Sequence, residues 1–144
     1  INLRQRERIV RLVVEALDGD VVGKRVAVLG LAFKPESDDI RDSPALDVAV
    51  RLNGLGADVT STDPQAIENS KSKHPQLAYE SSTGRALKDA AVVVLLTEWQ
   101  EYRELNPNVV AEITAGKTII DGRNVLSPTR WRAAGWTYVG LGRP

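Results

Sequence analysis

The sequence predicts an α/β fold in which helices cover both faces of a mostly parallel sheet of about five to six strands, preceded by an N-terminal helix. Short apolar runs recur along the chain, and segments of helical periodicity separate them. Several of these segments open with a capping residue followed by proline, a pair typical of helix starts. Strands that alternate with helices need crossover connections, and such connections give a parallel sheet.

The elements follow in chain order from these signals. Residues 1–17 carry apolar side chains at helical spacing and are predicted as the first helix. Five buried strands are predicted at residues 25–29, 57–62, 91–96, 117–120 and 136–139. Four helices are predicted to start at Ser43-Pro44, Asp63-Pro64, Asn106-Pro107 and Ser127-Pro128. Thr97 and Gln100 fit a capping box for a fifth.

Composition narrows the class of protein. A chain of 144 residues suits one domain with a full core, and its 19 basic and 19 acidic residues cancel. The balance argues against a nucleic-acid or membrane partner, and no apolar run is long enough to span a bilayer. There is no cysteine, so thiolate chemistry and disulfides are excluded and a cytoplasmic setting is expected. No metal site is predicted. Because the first residue is Ile1, the chain is interpreted as a piece of a longer protein.

The densest charged cluster is the segment that leaves the first strand, GLAFKPESDDIRDSP at residues 30–44. A parallel sheet binds ligands beyond the carboxyl ends of its strands, where the strand order reverses. We expect that point between the first strand and the fourth predicted strand, residues 117–120. Lys34, Arg41 and Arg123 would then face one crevice. Two interpretations stay open: a ligand-binding loop, or a surface loop with exposed ion pairs of about 0–1 kcal/mol each.

Neighbouring residues have simpler interpretations. A dinucleotide fingerprint needs G-x-G-x-x-G after the first strand, and only Gly30 fits it. Asp63 follows the second strand, where a ribose-binding acid would lie, but Pro64 after it favours a helix cap. Glu98 is predicted as a charge in the first turn of a helix. Trp99 is predicted to pack under that helix rather than to reach the cleft.

The segment 30–44 closely resembles the C-terminal signature of the UDP-glucose/GDP-mannose dehydrogenase family. The resemblance continues through Gly56-Ala57-Asp58-Val59, Asp63-Pro64, Leu95-Leu96-Thr97-Glu98-Trp99 and Ile120-Asp121-Gly122-Arg123-Asn124. It covers nearly the whole chain in order. The residues Phe33-Lys34-Pro35 and Arg41-Asp42-Ser43-Pro44 are most similar to the UDP-glucose 6-dehydrogenase branch. It implies a Rossmann-like three-layer fold, with residues 1–20 leading from a missing central region and residues 21–144 forming the UDP-sugar-binding domain.

The resemblance also implies roles. Lys34 and Arg123 resemble the substrate-binding lysine and arginine of the family, and Arg41 resembles the arginine that reaches NAD. Family members oxidise the sugar C6 alcohol in two NAD-dependent steps through a cysteine. That cysteine and the NAD fingerprint would lie in the missing domains, so this chain alone would hold no catalytic residue and would be inactive. The full-length protein would be a homodimer or higher oligomer. GDP-mannose or UDP-N-acetylmannosamine oxidation, or a non-catalytic binding module, remain the alternatives.

Overall fold

The fold has six strands and seven helices among residues 2–142, the part of the chain that the computed structural model describes. The strands are β1 Arg25–Leu29, β2 Asp58–Thr62, β3 Ala78–Tyr79, β4 Val92–Leu95, β5 Thr118–Asp121 and β6 Thr137–Gly140. The helices are α1 Leu3–Ala16, α2 Pro44–Gly54, α3 Ile67–Lys73, α4 Thr83–Leu87, α5 Gln100–Arg103, α6 Pro107–Ile113 and α7 Pro128–Ala133.

All six strands are parallel and lie in the order β3-β2-β1-β4-β5-β6. The order reverses between β1 and β4, where Leu29 stands between Thr62 on one side and Leu95 on the other. The predicted α/β fold, its parallel sheet and its N-terminal helix are confirmed. The carboxyl ends of the strands meet at one edge, and this edge is where a sheet of this type binds ligands.

One prediction about the sheet is wrong. The strand beside β1 is β4, at residues 92–95, and not the strand predicted at residues 117–120. The miscount arises from β3, which has only two residues and no buried apolar run for a sequence pattern to detect. The segment that follows β4 therefore lies directly beside residues 30–43, which follow β1 and which we term the β1 loop. The segment that follows β5 lies one strand further away.

The core is one continuous apolar cluster centred on β1 and β4. All four residues of β4 are buried, as are the last four of β1, because both faces of a central parallel strand are covered. Helix α1 belongs to this core, since Ile9 and Val13 are fully buried and the helix contacts both α2 and β5. Arg6 of α1 also lies 3.3 Å from Asp47 of α2. No helix among residues 2–142 is long and apolar enough to cross a membrane.

Three of the predicted helix starts are confirmed. Ser43, Asn106 and Ser127 each accept a hydrogen bond from the first turn of a helix whose first residue is proline. The other two are wrong. Helix α3 begins at Ile67 rather than at Pro64. Helix α5 has Trp99 at its N-cap, and the Thr97 side chain accepts no hydrogen bond from its first turn. In both cases the polar side chain forms hydrogen bonds with another strand's loop.

Candidate functional site

The base of the β1 loop is held against the segment that follows β4. Gly30 has a φ of +107°, a conformation that residues with a side chain rarely adopt. A Cβ atom at this position would lie 2.5 Å from the backbone nitrogen of Thr97. Only glycine therefore fits where the two segments approach, and the single position that matched the dinucleotide fingerprint serves this close contact.

The next two residues of the loop have every backbone polar group bonded. The N–H groups of Leu31 and Ala32 donate to Oδ2 of Asp63 at 2.8 and 3.0 Å. The carbonyl of Leu31 accepts from the Ser43 hydroxyl at 2.6 Å, and that of Ala32 accepts from the Thr97 hydroxyl at 2.8 Å. Side chains from three different segments thus fix the start of the charged loop.

Asp63 is the centre of this arrangement. Its buried carboxylate accepts five hydrogen bonds, because Trp99 Nε1 also donates to Oδ2 at 3.1 Å and the N–H groups of Gln65 and Ala66 donate to Oδ1. The helix-cap prediction for Asp63 is wrong, since Oδ1 closes the turn before α3 instead. The five bonds also leave little acceptor capacity for a ribose hydroxyl.

The outer part of the loop carries the exposed charges. Phe33 N–H donates to the Asp39 carbonyl at 2.8 Å and closes the loop into a compact turn. The Arg41 side chain, 88% exposed, donates from Nε and Nη2 to the two oxygens of Asp39 at 3.0 and 2.9 Å. These bonds lower the pKa of Asp39 to about 2. Among the described residues Lys34 is exposed and forms no ion pair.

A cleft of about 540 Å³ adjoins this outer part. Asp39 and Arg41 line it on one side, and Asn69 and Lys73 of α3 line it on the other. The Asn69 amide donates to the carbonyl of Asp38 at 2.9 Å, so α3 supports the loop from outside. The bidentate Asp39–Arg41 pair orients one of the loop's cations, because such an arrangement defines the plane of a guanidinium.

A second buried carboxylate, Asp121, organises the loop after β5. Its Oδ1 accepts from Arg123 N–H at 3.2 Å, and its Oδ2 accepts from Val125 and Leu126 N–H and from the Tyr138 hydroxyl at 2.7 Å. Asp121 is fully buried. The loop that carries Arg123 is therefore also held at its base by a buried carboxylate.

Arg123 itself pairs with Glu98, which follows β4. Its Nε donates to Glu98 Oε2 at 2.8 Å, and its Nη2 lies 2.7 Å from the same oxygen. The prediction that Glu98 acts as a first-turn helix charge is wrong, because it lies before the N-cap of α5 and its carboxylate binds another loop. Sequence reasoning missed this role of Glu98 because its partner lies 25 residues away along the chain.

Three consecutive residues after β4, which we term the TEW segment (Thr97, Glu98 and Trp99), join the loops of the site. Thr97 binds the β1 loop, Glu98 binds Arg123, and Trp99 binds Asp63 after β2. Trp99 is buried, as predicted, although its indole N–H also takes part in the site. The one signal in the sequence was a run of polar and aromatic residues directly after a buried strand.

These features define the class of protein as a doubly wound α/β domain with charged loops at the carboxyl edge of its sheet. Residues 27–128 match the family model of the UDP-glucose/GDP-mannose dehydrogenase family, UDP binding domain. The match covers most of the chain, and the chain therefore belongs to this family. The resemblance seen in the sequence is confirmed.

Individual relatives agree with this assignment. A UDP-glucose 6-dehydrogenase of Bacillus subtilis is 40% identical over 144 residues, which cover 99% of this chain and 31% of that protein. The structure of a UDP-glucose dehydrogenase from Pyrobaculum islandicum is 33% identical with a TM-score of 0.79, over 95% of this chain and 29% of that one.

A further structure has the same fold. An NDP-N-acetyl-D-galactosaminuronic acid dehydrogenase from Methanosarcina mazei is 27% identical with a TM-score of 0.82, over 97% of this chain and 29% of that one. The chain spans about a third of the length of the curated relatives it matches. The likeness to these proteins is therefore a likeness to one part of each.

Proposed function

We propose that this chain is the C-terminal UDP-sugar-binding domain of an NAD-dependent UDP-glucose 6-dehydrogenase, which oxidises UDP-glucose to UDP-glucuronate at C6. The observation that carries the proposal is the match of residues 27–128 to a UDP binding domain, with charged loops at the sheet edge where a ligand of this fold binds. Helix α1, with residues 1–20, would lead into the domain from a preceding central region.

The roles of the cations follow from their settings. Lys34 and Arg123 would hold the substrate, whose pyrophosphate suits the point charge of a lysine and the planar fork of an arginine. Arg41 would reach NAD that is bound mainly to another domain, because its exposed guanidinium is free to approach an anionic group on that domain. This chain would contribute no catalytic residue, only alignment of C6 with groups elsewhere, which can still supply several kcal/mol of rate enhancement.

NAD would accept the hydride in each oxidation. The chain's own crevice does not fit a dinucleotide bound in the usual Rossmann manner. Gly30 is the only glycine of the G-x-G-x-x-G fingerprint that follows β1, and the Asp63 carboxylate already accepts five hydrogen bonds from the protein. We therefore place NAD mainly on other domains of the full-length protein. In that protein we expect a cytoplasmic homodimer or higher oligomer, whose partners are the UDP-sugar and the chain's own missing domains.

An N-acetylated nucleotide sugar is the second candidate substrate, and one observation supports it. The Methanosarcina mazei dehydrogenase, which is named for an N-acetylated sugar acid, has a TM-score of 0.82 with this chain. Oxidation rates of the full-length protein with UDP-glucose, UDP-N-acetylmannosamine and GDP-mannose would separate the candidates. We expect the highest kcat/KM with UDP-glucose. A higher kcat/KM with either other sugar would replace this substrate assignment.

Removal of the substrate-binding cations tests the proposal. In the full-length protein, Lys34→Ala and Arg123→Ala should each lower kcat/KM for UDP-glucose about 10- to 100-fold, the loss expected for a charge-assisted hydrogen bond to phosphate. Steady-state kinetics would measure it. Lys88→Ala is the control, because Lys88 is exposed and precedes β4 at the opposite edge of the sheet. Unchanged KM and turnover in both variants would contradict the assigned site.

A further inference from the structure

The ion pair formed by Arg123 and Glu98 joins one edge of the guanidinium to a single carboxylate oxygen. One carboxylate oxygen, Oε2, accepts from Nε at 2.8 Å and lies 2.7 Å from Nη2. The guanidinium is therefore bound along its Nε/Nη2 edge. Both side chains are partly buried, at 29% and 19% exposure, so water screens the pair less than it screens an exposed one.

This geometry leaves the other edge of the guanidinium unused. Among residues 2–142, Nη1 of Arg123 forms no hydrogen bond. A guanidinium carries five donors in a fixed fork, so binding along one edge orients the remaining donors without consuming them. An arginine already held in this way loses less side-chain freedom when it binds an anion than a free arginine does.

Glu98 is itself held by its neighbours in the chain. Thr97 and Trp99 on either side are both buried and bonded, to Ala32 and to Asp63 respectively. The main chain of Glu98 thus has the same anchors as the β1 loop that carries Lys34. A carboxylate fixed on this frame fixes the guanidinium of Arg123 relative to that loop, although Arg123 follows β5, a strand that does not pair with β1.

We propose that Glu98 is a positioning residue that holds the Arg123 guanidinium by one edge and presents its Nη1 side to the substrate pyrophosphate. The proposal rests on the proposed function, in which Arg123 binds the UDP-sugar. Glu98 touches neither the substrate nor NAD and acts only through Arg123. Its negative charge weakens the local positive potential, and the orientation that it gives the guanidinium outweighs this loss.

Three variants of the full-length protein test the proposal. Glu98→Ala should raise the KM for UDP-glucose and the inhibition constant of UDP about tenfold, the order of coupling found for groups in direct contact. The KM for NAD should stay unchanged. Glu98→Gln should fall between the wild type and Glu98→Ala, because its amide oxygen still accepts from Nε but carries no charge. Arg123→Lys should also raise the KM for UDP-glucose, because an ammonium group cannot bind Glu98 along one edge and the substrate along another.

A double variant tests whether Glu98 acts through Arg123. In an Arg123→Ala background, Glu98→Ala should change the UDP inhibition constant less than about twofold, because the group through which it acts is gone. Glu80→Gln is the matched control, since Glu80 accepts from Arg85 Nε at the same 2.8 Å but follows the edge strand β3. Thermal unfolding of every variant would identify one that fails to fold, and Glu98→Gln then supplies the measurement in place of Glu98→Ala.

The outcomes separate the two proposals. If Arg123→Ala leaves UDP-glucose kinetics unchanged, the assignment of Arg123 to the substrate fails and the role of Glu98 fails with it. If Arg123→Ala is impaired but Glu98→Ala and Glu98→Gln bind UDP as the wild type does, or more tightly, only the role of Glu98 is overturned. An equal effect of Glu98→Ala with and without Arg123 would also overturn it, because Glu98 would then act independently.

Discussion

Two buried aspartates at the same edge of the sheet hold the loops of the site in different ways. Asp63, after β2, accepts from the β1 loop, from Trp99 after β4 and from its own turn. Asp121, after β5, accepts three N–H groups from its own loop and one hydroxyl from Tyr138 on β6. Asp63 joins segments that are far apart in sequence, whereas Asp121 mainly closes a local turn.

The difference shows which aspartate decides the geometry of the site. A local turn can re-form around another capping residue, because its donors are neighbours along the chain. The contacts of Asp63 have no local substitute, since Leu31 and Trp99 lie more than thirty residues from it. The position of the β1 loop relative to the TEW segment therefore depends on Asp63 more than on any cation in the loop.

The largest effect is expected for Asp63→Ala. Three donors that it would leave unpaired, the N–H groups of Leu31 and Ala32 and the indole of Trp99, lie on buried residues. Each buried unpaired donor costs about 1–3 kcal/mol, so the free energy of unfolding should fall by about 4 kcal/mol. Urea unfolding of the 144-residue chain would measure this loss.

The same assay on Asp121→Ala makes the comparison. We expect a loss of about 2 kcal/mol, because two of its N–H donors, on Arg123 and Val125, lie on half-buried residues and can reach water. Asp58→Ala is the control, since Asp58 is exposed at the other end of β2. A loss for Asp121→Ala equal to or above that for Asp63→Ala would show that the two aspartates do not differ as described.

Effects smaller than that of Asp63→Ala are expected for Gly30, which precedes the Leu31 N–H bound by Asp63, and for Gly122, which follows Asp121. Gly30→Ala should cost about 3 kcal/mol, because its φ of +107° is strained with a side chain and its Cβ would meet the Thr97 backbone. Gly122→Ala should cost less, about 1–2 kcal/mol, because its Cβ would lie 2.9 Å from Cδ2 of the Leu96 side chain and 3.1 Å from the Leu95 carbonyl oxygen, with no strained φ.

Gly19→Ala separates the two costs of Gly30→Ala, the backbone strain of a positive φ and the clash of the added Cβ atom. Gly19 has a φ of +80°, and an added Cβ atom would have no neighbouring side chain or loop within 4 Å, so Gly19→Ala measures backbone strain alone, at about 1 kcal/mol. Thermal or urea unfolding of the three variants would give the differences. If Gly30→Ala costs no more than Gly19→Ala, the close approach of the β1 loop to Thr97 has no energetic weight.

The smallest effect concerns the exposed carboxylate of Asp39, which contrasts with both buried aspartates. Hydrogen bonds from Arg41 lower its pKa from 3.8 to about 2. Since the folded-state pKa is lowered, any stability that the pair adds is complete above about pH 4 and is lost as the pH falls toward 2. Carbon-13 NMR titration of the carboxyl group would give the pKa directly.

Substitution of the partner tests this cause. Arg41→Ala should return the pKa of Asp39 toward 3.8, because the Arg41 bonds are the largest causes of the shift. Lys34→Ala should move it much less, because the charge of Lys34 is the smallest contribution. A larger shift with Lys34→Ala than with Arg41→Ala would contradict the geometry of the outer loop.

Elements with buried apolar runs could be predicted from the sequence. The strand at 25–29 has the bounds that the sequence pattern predicts, and the other four predicted strands agree within one residue at each end. The strand at Ala78–Tyr79 could not be predicted, because two residues, one of them exposed, carry no periodic signal. That omission displaced the predicted neighbour of β1 and so the predicted composition of the crevice.

The site could be predicted only as a set of residues. The sequence identified the charged β1 loop and the resemblance identified Lys34, Arg41 and Arg123, whose ligand roles remain predictions. The sequence predicted roles at helix starts for Asp63, Thr97 and Glu98, and these predictions were wrong because each side chain binds the loop of another strand. A capping preference describes neighbours along the chain, and it carries no information about donors brought in by another strand.

The sequence by itself determined the α/β fold, most of its strands, three of its helix starts and the family, because these depend on local periodicity and on contiguous motifs. Only the tertiary structure decided that Asp63 holds loops together rather than capping a helix, and that Glu98 binds Arg123. Hydrogen-bond acceptors pair with whichever donors the fold brings within about 3 Å. Those donors lie 25 to 36 residues away here, beyond the reach of any local pattern.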